Sequence, residues 1–318
     1  MTIPVIIDCD PGIDDVMALT LAFAHPELDI KLITTEPGNQ TQAKTIYNAL
    51  AFTSYMKQDI EIARGLDNPL FRQLEIADDV HGDNGLGNVN FPEPTIQLSN
   101  RTAIEAMKET LLSSNEQIIL IATGPLTNVG ALLLAHPEVK SKIKYISYMG
   151  GAAVGGNMTP TSEFNVYVDP HAADIVFRSG IPIIMSGLDV THKSFITLEE
   201  LNEIEAIGSD FAHKVLKMLH FYVHAAKQTA FHGPEFKSRI RLHDLCAVSY
   251  VLTPELFEGD DCHVAVELDG KFTAGTTVVD YEQRTGLPHN VKVLHTVDRE
   301  KFVKQFLDAV KTMSRHIG

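Results

Sequence analysis

Val5-Ile6-Ile7-Asp8-Cys9-Asp10-Pro11-Gly12-Ile13-Asp14-Asp15 carries the clearest strand–turn–helix pattern near the start of the sequence. Three consecutive apolar, β-branched residues read as a short buried strand, which Asp8 ends and Pro11-Gly12 turns. Asp14 and Asp15 then open an amphipathic helix through Val16, Leu19, Leu21 and Ala22, with acids in the first turn where the macrodipole favours them. The same theme recurs outward along the chain. Residues 30–35 form a second strand, followed by Pro37-Gly38-Asn39 and a helix from about Thr41. Residues 117–122 lead through Thr123-Gly124-Pro125 into a helix carrying Leu126 and Leu132. Residues 143–149 run into Gly150-Gly151, and residues 181–185 into Gly187-Leu188-Asp189. Such strand–loop–helix alternation predicts an α/β protein with a largely parallel, doubly wound, Rossmann-like sheet. After Leu201 the pattern is more helical up to His243-Asp244, residues 262–297 read as short strands, and a last helix falls near 299–313. With no solenoid period and no linker rich in Pro, Gly or Ser, residues 1–318 are expected to form one domain.

Composition narrows the class. Hydrophobic residues make up 44% of the 318 and charged residues 21%, the balance of an ordinary globular chain with a large core. A formal net charge of -15 argues against a nucleic-acid partner, which would call for a basic stripe. Cys9, Cys246 and Cys262 have neither metal-finger spacing nor an even-numbered framework, and fit a reducing compartment. Residues 1–7 run directly into the first strand pattern, and no apolar run is long enough to span a bilayer. A cytoplasmic protein with no membrane partner is the expectation.

Ligands of open parallel sheets bind at the carboxyl ends of the strands. Asp8, Asp10, Asn39, Thr123 and the residues from Gly150 onward all fall there. Four aspartates within eight residues would repel one another, and a divalent cation relieves the repulsion. Oxygen donors suit Ca²⁺ or Mg²⁺ rather than Zn²⁺, since no Cys or His is interleaved at zinc spacing. A surface turn with a helix cap accounts for one or two of the acids, but not for Asp8 and Asp10 at a buried strand end. No Gly-x-x-x-x-Gly-Lys is present, so a nucleotide-phosphate loop is disfavoured. A phosphotransferase with an aspartyl nucleophile also begins with Asp-x-Asp after a strand, yet the Asp14-Asp15 pair fits it poorly.

In these residues the chain resembles the inosine–uridine-preferring nucleoside hydrolases, whose hallmark Asp-x-Asp-Pro-Gly-x-Asp-Asp stands here as Asp8 to Asp15. Similar blocks follow over essentially the whole chain: Gly38-Asn39, His81-Gly82 with Gly85-Leu86, Thr123 to Asn128, Met149-Gly150-Gly151, Gly156 to Pro160, Glu163-Phe164-Asn165, Gly187 to Thr191 and His243-Asp244. The stretches from Leu242 to Ala247 and from Gly275 to Asp280 look most like the branch that accepts both purine and pyrimidine ribonucleosides. Departures are Glu36-Pro37 where the family commonly has Val-Ala, and Asp83-Asn84 in the His loop. In the segment that covers the base in relatives, Tyr222, His224, Phe231 and His232 are the candidates.

The resemblance implies calcium-dependent hydrolysis of the N-glycosidic bond, releasing ribose and a free base in nucleoside salvage, by a homodimer or homotetramer. It also implies roles. Asp10, Asp15, Asp244 and the Thr123 carbonyl hold Ca²⁺, and Asp10 doubles as general base toward a metal-activated water. Asp14 reads the 2′-hydroxyl, while Asn39, Asn157, Glu163 and Asn165 hold the other ribose hydroxyls over Met149. His243 serves the leaving group, His81 contacts base or ribose, and Asp8 supports the loop. Cys246 and Cys9 lack the adjacent base or cationic setting of a nucleophile. A different class, a nucleoside- or sugar-binding protein without turnover, would have less need of Asp10, Asp14, Asp15 and Asp244 together.

Overall fold

Along the first strand, β1 (Ile3–Cys9), Val5, Ile7 and Cys9 pack into one apolar cluster and Ile6 into another. Successive side chains of a strand point to opposite faces, so β1 lies inside a sheet covered on both sides. The computed structural model describes residues 2–228 and 239–318. Among them, β2 (Leu28–Thr35), β3 (Ile62–Arg64), β4 (Ile118–Ala122), β5 (Ile143–Met149) and β6 (Ile183–Ser186) join β1 in one sheet. A two-stranded ribbon pairs β7 (Phe195–Thr197) with β8 (Arg239–Arg241) in antiparallel fashion. Later in the chain come β9 (Phe257–Val266), β10 (Thr277–Asp280) and β11 (Val291–Val297).

The main sheet has the order β10-β9-β11-β6-β5-β4-β1-β2-β3. The run from β3 through β6 to β11 is parallel, and β9 and β10 extend it antiparallel. The expected α/β class, with its mostly parallel, doubly wound sheet, is the observed one. Chain order moves outward from β1 through β2 to β3, then returns to the other side of β1 as β4. This reversal puts the topological switch point between β1 and β4, where open α/β sheets form their binding crevice.

Strand β5 matches its expected bounds, while β6 begins two residues later than residues 181–185 suggest. Strand β9 begins at Phe257, ahead of the expected tail of strands. Its Glu258, Asp260 and Asp261 are exposed or half-buried, while Phe257, Cys262 and Val264 are buried. The short strands β3, β7 and β8 have too few residues to show a period and are set by their pairing partners.

Helix Ile13–Ala24, buried along almost its whole length, packs against helices Leu245–Leu252 and Arg299–Ile317. Two helix N-termini, those of Ile13–Ala24 and Leu245–Leu252, therefore meet at the carboxyl end of β1. Their partial positive charges face the acids that precede or open them. Among the described residues no helix is long and apolar enough to cross a membrane.

Candidate active site

The ends of β1 and its neighbours are tied together by backbone. Thr123 N–H donates to the Asp8 carbonyl (2.9 Å) and Glu36 N–H to the Cys9 carbonyl (3.0 Å). Asp8 is buried beneath the site, accepting at Oδ1 from Thr34 Oγ1 (2.5 Å) and Asn128 Nδ2 (2.9 Å). Burial pushes its carboxyl up to about 6.

Asp15 caps its own helix, its Oδ2 accepting from Gly12 N–H (2.9 Å) and Asn39 Nδ2 (2.8 Å) and its Oδ1 from Thr123 Oγ1 (2.8 Å). Asp10 accepts from the Asn39 backbone N–H at Oδ2 (2.7 Å), while its Oδ1 is buried without a hydrogen-bond partner. Asp14 Oδ1 is likewise buried and unpartnered. Asp14, Asp15 and Asp244 bring carboxylate oxygens within 4.8 Å of one another. Asp10 stands outside this tightest grouping, with Asp15 raising its proton affinity. Burial, reinforced by Asp15, pushes the Asp10 carboxyl well above the usual range; burial with Asp14 and Asp15 does the same to Asp244. Asp14 is raised to about 7 by burial and by Asp15. Buried carboxylates crowded in this way are stable together only if protonated or bridged by a cation. All-oxygen donors, with two buried oxygens left open, fit a hard divalent ion.

Glycines make room for this arrangement. A Cβ on Gly38 would lie 2.2 Å from Asp10 Oδ2, and one on Gly124 2.7 Å from Asp10 Oδ1. Gly12 is crossed by His81, whose Nδ1 would lie 2.6 Å from an added Cβ.

Above the carboxylates opens a cavity of about 670 Å³. Asp14, Asn39, His81, Thr123, Met149, Asn157, Glu163, Asn165, His243 and Asp244 all line it, whereas Asp10 and Asp15 lie beneath that lining, fully buried. Asn39 spends its donors on acids, its Nδ2 reaching the Asp10 carbonyl (3.2 Å) as well as Asp15. Asn165 Nδ2 donates to the carbonyls of Thr123 (2.8 Å) and Met149 (3.0 Å). Glu163 Oε2 accepts from Gly151 N–H (2.9 Å), and burial raises this carboxyl to about 7. Asn157, exposed at the rim, accepts from Phe164 N–H at Oδ1 (2.8 Å).

His81 Nδ1 accepts from Ile13 N–H (3.1 Å), so its proton sits on Nε2. Burial pushes this imidazole down to about 3, which keeps it neutral. His243 Nδ1 lies 2.9 Å from Thr191 Oγ1. Of the four residues expected over the base, Tyr222 lines the cavity with its ring 5.7 Å from that of His81, His224 is not part of the lining, and Phe231 and His232 fall outside the described residues. Cys246 is buried in its helix with its thiol raised to about 12, and burial and Asp15 lift Cys9 well above its usual value. Neither is set up as a nucleophile.

Several site residues escaped sequence reading. His192, Arg239 and Arg241 line the cavity. Glu36, noted only as a departure, is fully buried with Oε1 unpartnered, its carboxyl pushed well up by burial, Asp8 and Asp10. The signal was there for Glu36, as an acid in an apolar strand end. For Arg241 it was the alternating Arg-Ile-Arg two residues before His243.

A buried acidic cluster able to hold a metal ion, under a polar cavity at the switch point of a parallel sheet, is the arrangement of a metal-dependent α/β enzyme. Residues 5–304 match the model of the family described as inosine-uridine preferring nucleoside hydrolase, and the chain belongs to that family of ribonucleoside hydrolases. It is 47% identical over 314 residues to the pyrimidine-specific ribonucleoside hydrolase RihA of Escherichia coli, covering 98% of this chain and 99% of that one. Among solved structures it is similar to a purine-preferring ribonucleoside hydrolase from Gardnerella vaginalis, at 30% identity and a TM-score of 0.91, with 98% and 99% of the two chains covered. A plant nucleoside hydrolase gives 31% and 0.90 over the same shares. The names of the Escherichia coli and Gardnerella vaginalis relatives each describe preference for one base class, not the breadth expected from the stretches Leu242 to Ala247 and Gly275 to Asp280.

Proposed function

We propose that this enzyme hydrolyses the N-glycosidic bond of pyrimidine ribonucleosides, releasing ribose and the free base in a calcium-dependent reaction that serves nucleoside salvage. The observation that carries the proposal is the set of buried carboxylates Asp14, Asp15 and Asp244, with the orphaned oxygens of Asp10 and Asp14, under the cavity. Asp10, Asp15, Asp244 and the Thr123 carbonyl are the donors that would hold Ca²⁺. When bound, the ion supplies Lewis acidity toward water and a template for vicinal hydroxyls.

Cleavage passes through an oxocarbenium-like ribose, so groups that tighten on the sugar as charge develops accelerate it. Asp10 takes the proton of the attacking water at Oδ1, the oxygen that no protein donor occupies. Asp14 accepts from the 2′-hydroxyl at its open Oδ1. Glu163 and the Oδ1 of Asn165, whose amide nitrogen is already committed, accept from the other hydroxyls, with Asn157 at the rim and Met149 below the ring. Asn39 contributes chiefly by fixing Asp10 and Asp15. His243, held by Thr191, assists the departing base, and neutral His81 donates from Nε2. The preference for pyrimidines follows the relatives at 47% identity rather than the purine-preferring structure at 30%. Three buried, unpaired cysteines support a cytoplasmic setting.

A kcat/KM panel tests the assignment. Uridine and cytidine are expected to exceed inosine and adenosine by about 100-fold. 2′-Deoxyuridine is expected to fall about 10⁴-fold below uridine, because Asp14 then faces no hydroxyl. Equal rates on uridine and its deoxy form would remove the 2′-clamp, equal rates on inosine would remove the pyrimidine preference, and no ribose from any of the four ribonucleosides would remove the activity.

A further inference from the structure

Arg241 closes β8, pairs across the ribbon with Phe195, and lines the cavity beside Tyr222 and His243. It is a half-buried permanent cation in a cavity whose floor is carboxylate. Its neighbour on the ribbon, Arg239, is placed differently: it is exposed and stacks its guanidinium over the Phe195 ring at 4.5 Å. Burial lowers the Arg241 guanidinium only to about 10, so it stays charged at neutral pH.

The position of this charge relative to the sugar follows from the site. Hydroxyls held by Asp14, Glu163 and Asn165 put ribose over the carboxylates. Tyr222, on helix Asp210–Gln228, and Arg241, on β8, line the same cavity as these ribose-holding groups, and it is against them that the base is placed in the proposal below. A pyrimidine leaving from N1 poses a particular problem. Its N1 lone pair is delocalised into the ring carbonyls, and it has no imidazole nitrogen of the purine kind to protonate beforehand. Negative charge therefore develops on its carbonyl oxygens as the bond breaks. A planar, non-titrating guanidinium is matched to that charge.

We propose that Arg241 is the leaving-group stabiliser for carbonyl-bearing pyrimidines, a role that rests on the ribonucleoside hydrolase reading above. The C1′–N1 bond breaks with its electron pair passing to N1 and outward to the carbonyl oxygens, where the guanidinium donates hydrogen bonds without losing a proton. Water oxygen forms the new bond to C1′, its proton goes to Asp10, and the pyrimidine anion is protonated afterwards, by His243 or solvent.

The test compares uridine with p-nitrophenyl β-D-ribofuranoside, whose leaving group is a stable anion unaided. Arg241→Gln is expected to lower kcat on uridine about 100-fold and on the nitrophenyl riboside less than about fivefold, with Arg241→Lys intermediate on uridine. The nitrophenyl rate also reports that the variants are folded. Equal losses on the two substrates, in a wild type that cleaves both, would overturn the role of Arg241 and leave the hydrolase reading standing. A wild type that cleaves neither would overturn both.

Discussion

Asp10→Asn is expected to lower kcat/KM on uridine by about 10³-fold or more while leaving the metal-free protein more resistant to heat. The two effects have one cause. Asn39 N–H already donates to Asp10 Oδ2, and an asparagine carbonyl can keep that bond. The amide nitrogen then takes the place of Oδ1, which has no donor of its own and lies among carboxylates including Asp15 and Asp14. A charge that must be desolvated and repelled is replaced by a neutral donor, so folding gains. Catalysis loses both a donor for the ion and the acceptor for the water's proton. Such opposition marks a residue kept for activity at a cost in stability. Ribose release within tenfold of the wild type would exclude Asp10 as base. A lower melting temperature in chelator would show that its charge serves the fold.

The second large effect is a pH dependence that calcium reverses. Burial raises Asp8 to about 6 and Asp14 and Glu163 to about 7, and burial with the neighbouring carboxylates also raises Asp10 and Asp244 well above the usual range. Each folded-state value lies above its unfolded one, so the contribution to stability is complete in acid and is lost as pH rises through 6 and 7. Asp8 alone, moved from 3.8 to about 6, costs the metal-free fold about 3 kcal/mol at neutral pH. Carboxylates with lowered values, such as Glu61 and Glu200 beside their arginines, titrate in more acidic solution and stay ionised across this window. In chelator, the melting temperature should therefore fall by about 5 °C or more between pH 5 and pH 8. Calcium should restore it at pH 8 and do little at pH 5, where protons already hold the cluster together. A flat profile in chelator, or no calcium effect at pH 8, would contradict a cation site built from these acids.

Much of this site was legible because its residues stand at strand ends. A buried β-branched run closed by Asp8 reads as a strand delivering acids to the sheet edge, and Thr123 follows β4 in the same way. The partners were not legible, since they depend on contacts between distant segments. The resemblance makes Asn39 a ribose contact; in the structure it lines the cavity while its backbone N–H and Nδ2 donate to Asp10 and Asp15. The tight carboxylate group joins Asp14, rather than Asp10, to Asp15 and Asp244, because Asp14 and Asp15 open one helix and Asp244 precedes another packed against it. Glu36 stands in the sequence as an acid at an apolar strand end, and the pairing of β2 beside β1 puts it under the cluster. Arg241 belongs to a three-residue strand whose existence depends on Phe195 to Thr197.

Ribose release from uridine by chelator-treated protein, measured before and after adding back calcium, shows whether the carboxylate centre works through the ion. A buried carboxylate centre that works through the ion predicts a loss of at least about 100-fold on chelation and full recovery with calcium. Undiminished release in chelator, or none after calcium is restored, would contradict it.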